Sequence, residues 1–212
     1  MTYFEVFSLP RKLSIDVAAL EKQFYALSRR WHPDRFAARP QAEQEAALAQ
    51  ASLLNDAYRT LRDPVLRTQY LLRLLGVELE EQSKAATEAA RASGTEKKQS
   101  VPPELLEEVF ELNMQLAEMR AARQMGEDEP ELRRDLLSAK DAFESKLDAT
   151  DEELQQLWRV WDAAEDEGAQ PAQTSARDAM VTLLNKRTYL RNLVRDVNEA
   201  LESESGTQHH EI

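Results

Sequence analysis

Large apolar residues recur three and four positions apart along most of this 212-residue chain, a spacing that restricts it to packed helices. Leu20, Phe24, Leu27 and Trp31 make one run. Leu48, Ala51, Leu54, Tyr58 and Leu61 make a second, and Leu105, Val109, Leu112, Leu116 and Met119 a third. No period-two run of Val, Ile or Thr supports a sheet, and only 5 Gly and 8 Pro interrupt long tracts of good helix formers. The expected fold class is all-α: an N-terminal antiparallel helical hairpin with short flanking helices, then a C-terminal antiparallel helical bundle.

Local signals place the boundaries. Asp16, with Ser14 competing, is the expected N-cap of a helix that stops near Trp31, because Pro33 lacks a donor and pushes His32 toward extended backbone. The returning helix begins at Gln41-Ala42-Glu43 and closes near Arg62, ahead of Pro64; a further apolar segment, Val65 to Leu75, stops at Gly76. Between Leu79 and Val101 there is no large apolar residue, so residues 78–100 read as a polar linker. A second unit over residues 101–203 starts at Pro102-Pro103. Helices are expected from Glu104 to Gln124, Glu131 to Asp148, Asp151 to Ala164 and Ser175 to Glu202, followed by a disordered tail at 204–212. Thr150-Asp151-Glu152-Glu153 has the capping-box pattern that marks a helix start, and Ala164 to Ser175, with Gly168 and Pro171, reads as a loop.

Charge and composition narrow the function. Residues 1–76 carry 11 basic and 8 acidic side chains, whereas the rest of the chain carries 16 basic and 31 acidic. Arg11, Lys12, Lys22, Arg29, Arg30, Arg35 and Arg39 are expected to gather around the His32-Pro33-Asp34 loop. This cluster suits an acidic protein partner better than nucleic acid, so an acidic protein partner is expected and no nucleic acid. There is no cysteine, which removes disulfides, thiolate chemistry and Cys-based zinc sites. The densest apolar stretch, Val65 to Val77, is interrupted by Arg67 and Arg73, and no signal peptide is apparent. The expectation is a cytoplasmic protein without a membrane partner.

His32 and Asp34 could suggest a catalytic dyad or a metal site. The only other histidines are His209 and His210 near the chain end, and no positioned nucleophile accompanies them, so no enzyme, metal or cofactor is expected. An exposed Asp34 carboxylate on a proline-stiffened loop is instead a good acceptor for a partner arginine. A purely structural turn is the alternative. In the third run, Leu106, Phe110 and Met114 fall roughly 100° to 180° around the helix from the core stripe, and Glu107, Glu111 and Glu118 follow at roughly 200° to 240°. This second apolar ridge, bordered by carboxylates, suggests a protein-binding surface unless another helix of the bundle covers it.

Tyr3-Phe4-Glu5-Val6-Phe7-Ser8-Leu9, the helix ending in Arg30-Trp31, His32-Pro33-Asp34-Arg35-Phe36, and Asn55-Asp56-Ala57-Tyr58-Arg59-Thr60-Leu61-Arg62-Asp63-Pro64 together resemble a J domain, here residues 1–77. The resemblance implies that His32, Pro33, Asp34, Lys22, Arg29, Arg30 and Arg35 dock on an HscA/DnaK-type heat-shock ATPase chaperone and stimulate its ATP hydrolysis. With an acidic helical bundle behind it, and with Leu105 to Leu112 and Thr188 to Leu193 carrying the later match, the chain resembles the HscB-type co-chaperones of iron-sulfur cluster assembly. That resemblance implies that the bundle holds an IscU-type iron-sulfur scaffold protein. Leu106, Phe110, Glu111 and Glu118 match the family's scaffold-binding pattern, and Tyr189 stands where the family has an aromatic residue. Glu107 and Met114 depart from the pattern, replacing an apolar and an acidic side chain. The alternative is a general J-domain co-chaperone for unfolded polypeptides; the missing glycine-rich segment and cysteine motifs count against it.

Overall fold

The computed structural model describes residues 1–77, 79, 101–127 and 129–202, and every regular element among them is helical. The linker expected at 78–100 falls almost wholly outside the described residues, and the tail expected at 204–212 entirely so. The chain forms two compact units, Met1–Leu79 with Leu154–Val181, and Glu80–Glu153 with Thr182–Ile212.

In the first unit, α1 (Tyr3–Val6) is held by a capping box: the Thr2 hydroxyl accepts from the Glu5 N–H, and the Glu5 carboxylate accepts from the Thr2 N–H. Helices α2 (Val17–Arg30) and α3 (Gln41–Arg62) pair as the hairpin, with a short 3-10 helix, Pro33–Phe36, between them. Asp16 caps α2 through the Ala19 N–H, as the sequence suggests. Asp63 caps α4 (Pro64–Leu74) by accepting from the Leu66 N–H, with Pro64 in the first turn. The buried stripes are Leu20 on α2, Ala47, Leu54, Ala57 and Leu61 on α3, and Leu71 and Leu72 on α4; Phe4 and Phe7 join them. Phe24 stacks on Tyr58 at 4.1 Å, and Tyr3 on Tyr70 at 4.4 Å. Leu48 departs from the expected stripe. It is 62% exposed, and its neighbour Ala47, about 100° around the helix, is buried in its place.

The same unit takes in residues 154–181. Leu154, Trp158, Trp161, Ala164, Ala176 and Met180 are buried there, and the Asp162 carboxylate accepts from the backbone N–H groups of Leu13 and Ser14, both at 2.8 Å. Asp162 thereby satisfies amides of the turn entering α2 that no helix bond reaches. Arg67, buried, donates to the carbonyls of Leu61 and Leu13 and lies 5.3 Å from the Trp158 ring centre.

The second unit packs α5 (Leu106–Met125) with the residues it draws from α6 (Pro130–Glu167) and α7 (Gln170–Glu202). A 3-10 turn, Pro103–Leu105, leads into α5. Leu105, Val109, Leu112, Leu116 and Met119 meet Leu132, Leu136 and Phe143 of α6 and Leu190, Leu193 and Val197 of α7. Two expected boundaries are corrected. The helix runs unbroken from Pro130 to Glu167, and Thr150 is buried mid-helix with its hydroxyl donating to the Leu147 carbonyl at 2.7 Å. The apolar spacing through Leu136, Phe143, Leu147, Leu154, Trp158 and Trp161 never breaks, so burial on both sides of Thr150 overrides the local cap signal. The long loop expected from Ala164 to Ser175 contracts to a turn at Gly168, whose φ of 65° suits glycine, and Pro171 sits in the first turn of α7.

Candidate functional site

Two surfaces carry the residues singled out by the sequence, one in each unit. In the first, Pro33 opens the 3-10 helix and His32 is extended, with φ of −62° and ψ of 129°. The His32 Nδ1 accepts from the Asp34 N–H at 3.4 Å and lies 3.5 Å from an Asp34 carboxylate oxygen, so the imidazole caps the turn it precedes. The Asp34 side chain is 89% exposed. A charged acceptor stands on a stiff turn with its oxygens turned to solvent.

Aromatic and backbone contacts brace the loop from both ends. Trp31 stacks on Phe36 at 6.0 Å across it, and the Gln44 amide donates to the Ala37 and Arg39 carbonyls from α3. Arg35 donates to the Arg29 carbonyl and Arg29 to the Tyr25 carbonyl. Tyr25, Ser28, Arg29, His32 and Arg35 line a shallow groove beside Asp34. Lys22 lies about 20° from Arg29 around α2 and shares that face, whereas Arg30 is turned about 100° from Arg29. The Arg30 guanidinium instead lies 5.5 Å from the Trp31 ring centre.

Arg11 and Lys12 are not part of this patch, contrary to the expectation from charge. They precede the far end of α2, about 20 Å from Trp31 along the helix. There Lys12 pairs with Asp166 at 2.6 Å and Arg11 with Glu165 at 3.9 Å. The bond to Asp166 is also the main reason that the Lys12 pKa lies above its ordinary value.

In the second unit, Leu106, Phe110 and Met114 project from α5 at 54%, 70% and 60% exposure. No helix covers the ridge among the described residues. Glu107, Glu111 and Glu118 are exposed beside it, while ion pairs of the described residues in this unit engage other carboxylates, among them Lys146 with Glu108, Lys186 with Glu104, and Arg187 with Asp151. The ridge therefore presents apolar side chains with carboxylates along one border that have no ion pair among the described residues. Among the described residues no group of three or more His, Asp or Glu side chains could hold a metal ion, and no helix is long and apolar enough to cross a membrane.

Residues 2–70 match the family described as DnaJ domain. Over its length the chain is similar to the chaperone HscB from Vibrio cholerae, with 26% identity and a TM-score of 0.58, covering 96% of this chain and 99% of that one. The chain is an HscB-like J-domain co-chaperone. It also shares its fold with the human co-chaperone protein HscB, at 24% identity and a TM-score of 0.57, covering 96% of this chain and 83% of that one.

Within this HscB-like chain the DnaJ domain match ends at residue 70, yet Leu13, Arg67 and Thr68 each have a buried partner among residues 158–162. Tyr189 behaves differently from the other ridge candidates. It is half-buried against the core of the second unit, and that burial, with nearby Asp196, holds its hydroxyl pKa above the ordinary value. Sequence reasoning missed Tyr25, 55% exposed on the loop groove, and Met125, 72% exposed at the end of α5. Met125 could have been found by extending the angular reading of α5 to its last residue.

Proposed function

We propose that this protein binds an IscU-type iron-sulfur scaffold through its second unit and delivers it to an HscA/DnaK-type chaperone, whose ATPase it stimulates through the His32-Pro33-Asp34 loop. The observation that carries this reading is the exposed, braced Asp34 carboxylate beside the groove of Tyr25, Arg29, His32 and Arg35, on a DnaJ domain. Asp34 accepts a charge-assisted hydrogen bond from a partner cation, while Lys22, Arg29 and Arg35 steer the domain toward an acidic surface. Arg30, exposed with its guanidinium 5.5 Å from the Trp31 ring centre, contributes to the same docking face. The cargo is held by Leu106, Phe110, Met114 and the half-buried Tyr189, with Glu107, Glu111 and Glu118 beside the ridge.

The test is the steady-state ATPase rate of an HscA-type chaperone with and without the full chain. The rate is expected to rise with the unmodified protein and to stay at its basal value with Asp34→Asn, whose helical circular dichroism is unchanged. An equal stimulation by Asp34→Asn overturns the role of the loop. A chain that binds unfolded polypeptide on the Phe110 ridge, and not the scaffold, overturns the cargo assignment in favour of a general co-chaperone.

A further inference from the structure

Met125 is as exposed as Phe110, and it stands on the same side of α5. Counting from Leu106, the positions Phe110, Met114, Ala117, Ala121 and Met125 all fall within an arc of about 100° around the helix. All six residues are exposed. The apolar surface thus does not end at Met114 but continues to the last residue of the helix, about 28 Å in all. Its profile is uneven, with bulky side chains at both ends and the two alanines between Met114 and Met125.

We infer that the cargo surface of this chain is the whole length of α5, with Met125 a second apolar anchor and the Ala117–Ala121 section the place where a partner backbone approaches closely. The inference rests on the scaffold-binding reading above and deepens it. The occupant is a folded protein whose apolar surface is bordered on one side by Lys or Arg. Charge argues for this partner: Glu107, Glu111 and Glu118 run along one edge of the rail without ion pairs among the described residues. A second copy of this chain, with a formal net charge of −12, would bring the same carboxylates against them. A partner seated only at the Leu106 end would leave Met114 and Met125 in water, and their burial is favourable wherever the partner reaches them.

The test titrates a labelled IscU-type scaffold with the full chain and with Phe110→Ala, Met125→Gln and Ala121→Gln, the last two chosen to keep charge and to place a good helix former at each position. Phe110→Ala and Met125→Gln are each expected to weaken binding about tenfold, about 1.4 kcal/mol. Ala121→Gln is expected to weaken it at least as much, by filling the low section, with circular dichroism unchanged in all three. Loss of affinity in Phe110→Ala together with unmodified affinity in both glutamine variants overturns the extended surface and leaves the scaffold-binding reading standing. Absence of binding by the unmodified chain overturns that reading and this inference with it. Capture of an unfolded polypeptide across Met125, without the scaffold, overturns the proposed occupant.

Discussion

The indole N–H of Trp158 donates to the Thr68 hydroxyl at 2.9 Å, across 90 residues of sequence, with both side chains buried. Thr68 passes the bond on to the Pro64 carbonyl, so a single hydroxyl is both acceptor and donor. Trp158→Phe keeps most of the ring and removes the donor; it is expected to cost about 1–2 kcal/mol, since Thr68 retains its own donation. Trp158→Ala also strips the face from Arg67 and opens a cavity, and about 3–5 kcal/mol is expected. Urea unfolding curves of the two variants against the unmodified chain check the order and the spacing.

The two faces of the second unit respond oppositely to truncation. Leu136 is fully buried, and Leu136→Ala is expected to destabilise by about 2–5 kcal/mol. Phe110 is the larger side chain, but it is 70% exposed, and Phe110→Ala is expected to change stability by no more than about 0.5 kcal/mol. Chemical denaturation followed by circular dichroism measures both. A large loss for Phe110→Ala would mean that the ridge is packed in solution.

Alkaline pH offers a third measurement. Burial, with Asp196, raises the Tyr189 pKa above 10.0, so the folded protein keeps the phenolic proton at a pH where the unfolded chain has released it. The stabilisation from this group is complete below the unfolded value and is lost as pH rises through the folded one. Tyr189→Phe has no proton to lose. Its urea midpoint is therefore expected to fall less steeply than that of the unmodified chain between pH ~9 and ~11, with the two curves parallel at neutral pH.

Much of the fold is readable from local chemistry. Asp16, Pro33, Gln41 and Asp63-Pro64 act within one turn of where they stand, and the helix ends fall there. Thr150 carries an equally local signal, yet the stripe on both sides of it is buried, and packing decides the matter. Leu48 is less legible, because it stands only about 100° around α3 from the buried Ala47. The exposure of Leu106, Phe110 and Met114 was legible because it follows from angle alone. The pairing of Asp162 with Leu13 and Ser14 has no local trace, since 148 and 149 residues separate the partners.

That separation has a consequence for the order in which the molecule can be made. The amides of Leu13 and Ser14 emerge early in synthesis, and their acceptor emerges some 150 residues later. At ~5–20 residues per second, the start of the chain waits about 7–30 s for the carboxylate that completes it. Residues 80–153 of the second unit are synthesised within that interval, and its remaining helical residues, 182–202, follow only after Asp162. Each unit is thus assembled from two stretches of chain that are synthesised apart. The DnaJ domain of this chain is completed by residues far beyond its own match, and a graft of residues 2–70 alone would leave behind Asp162, Trp158 and the side chains packed around them.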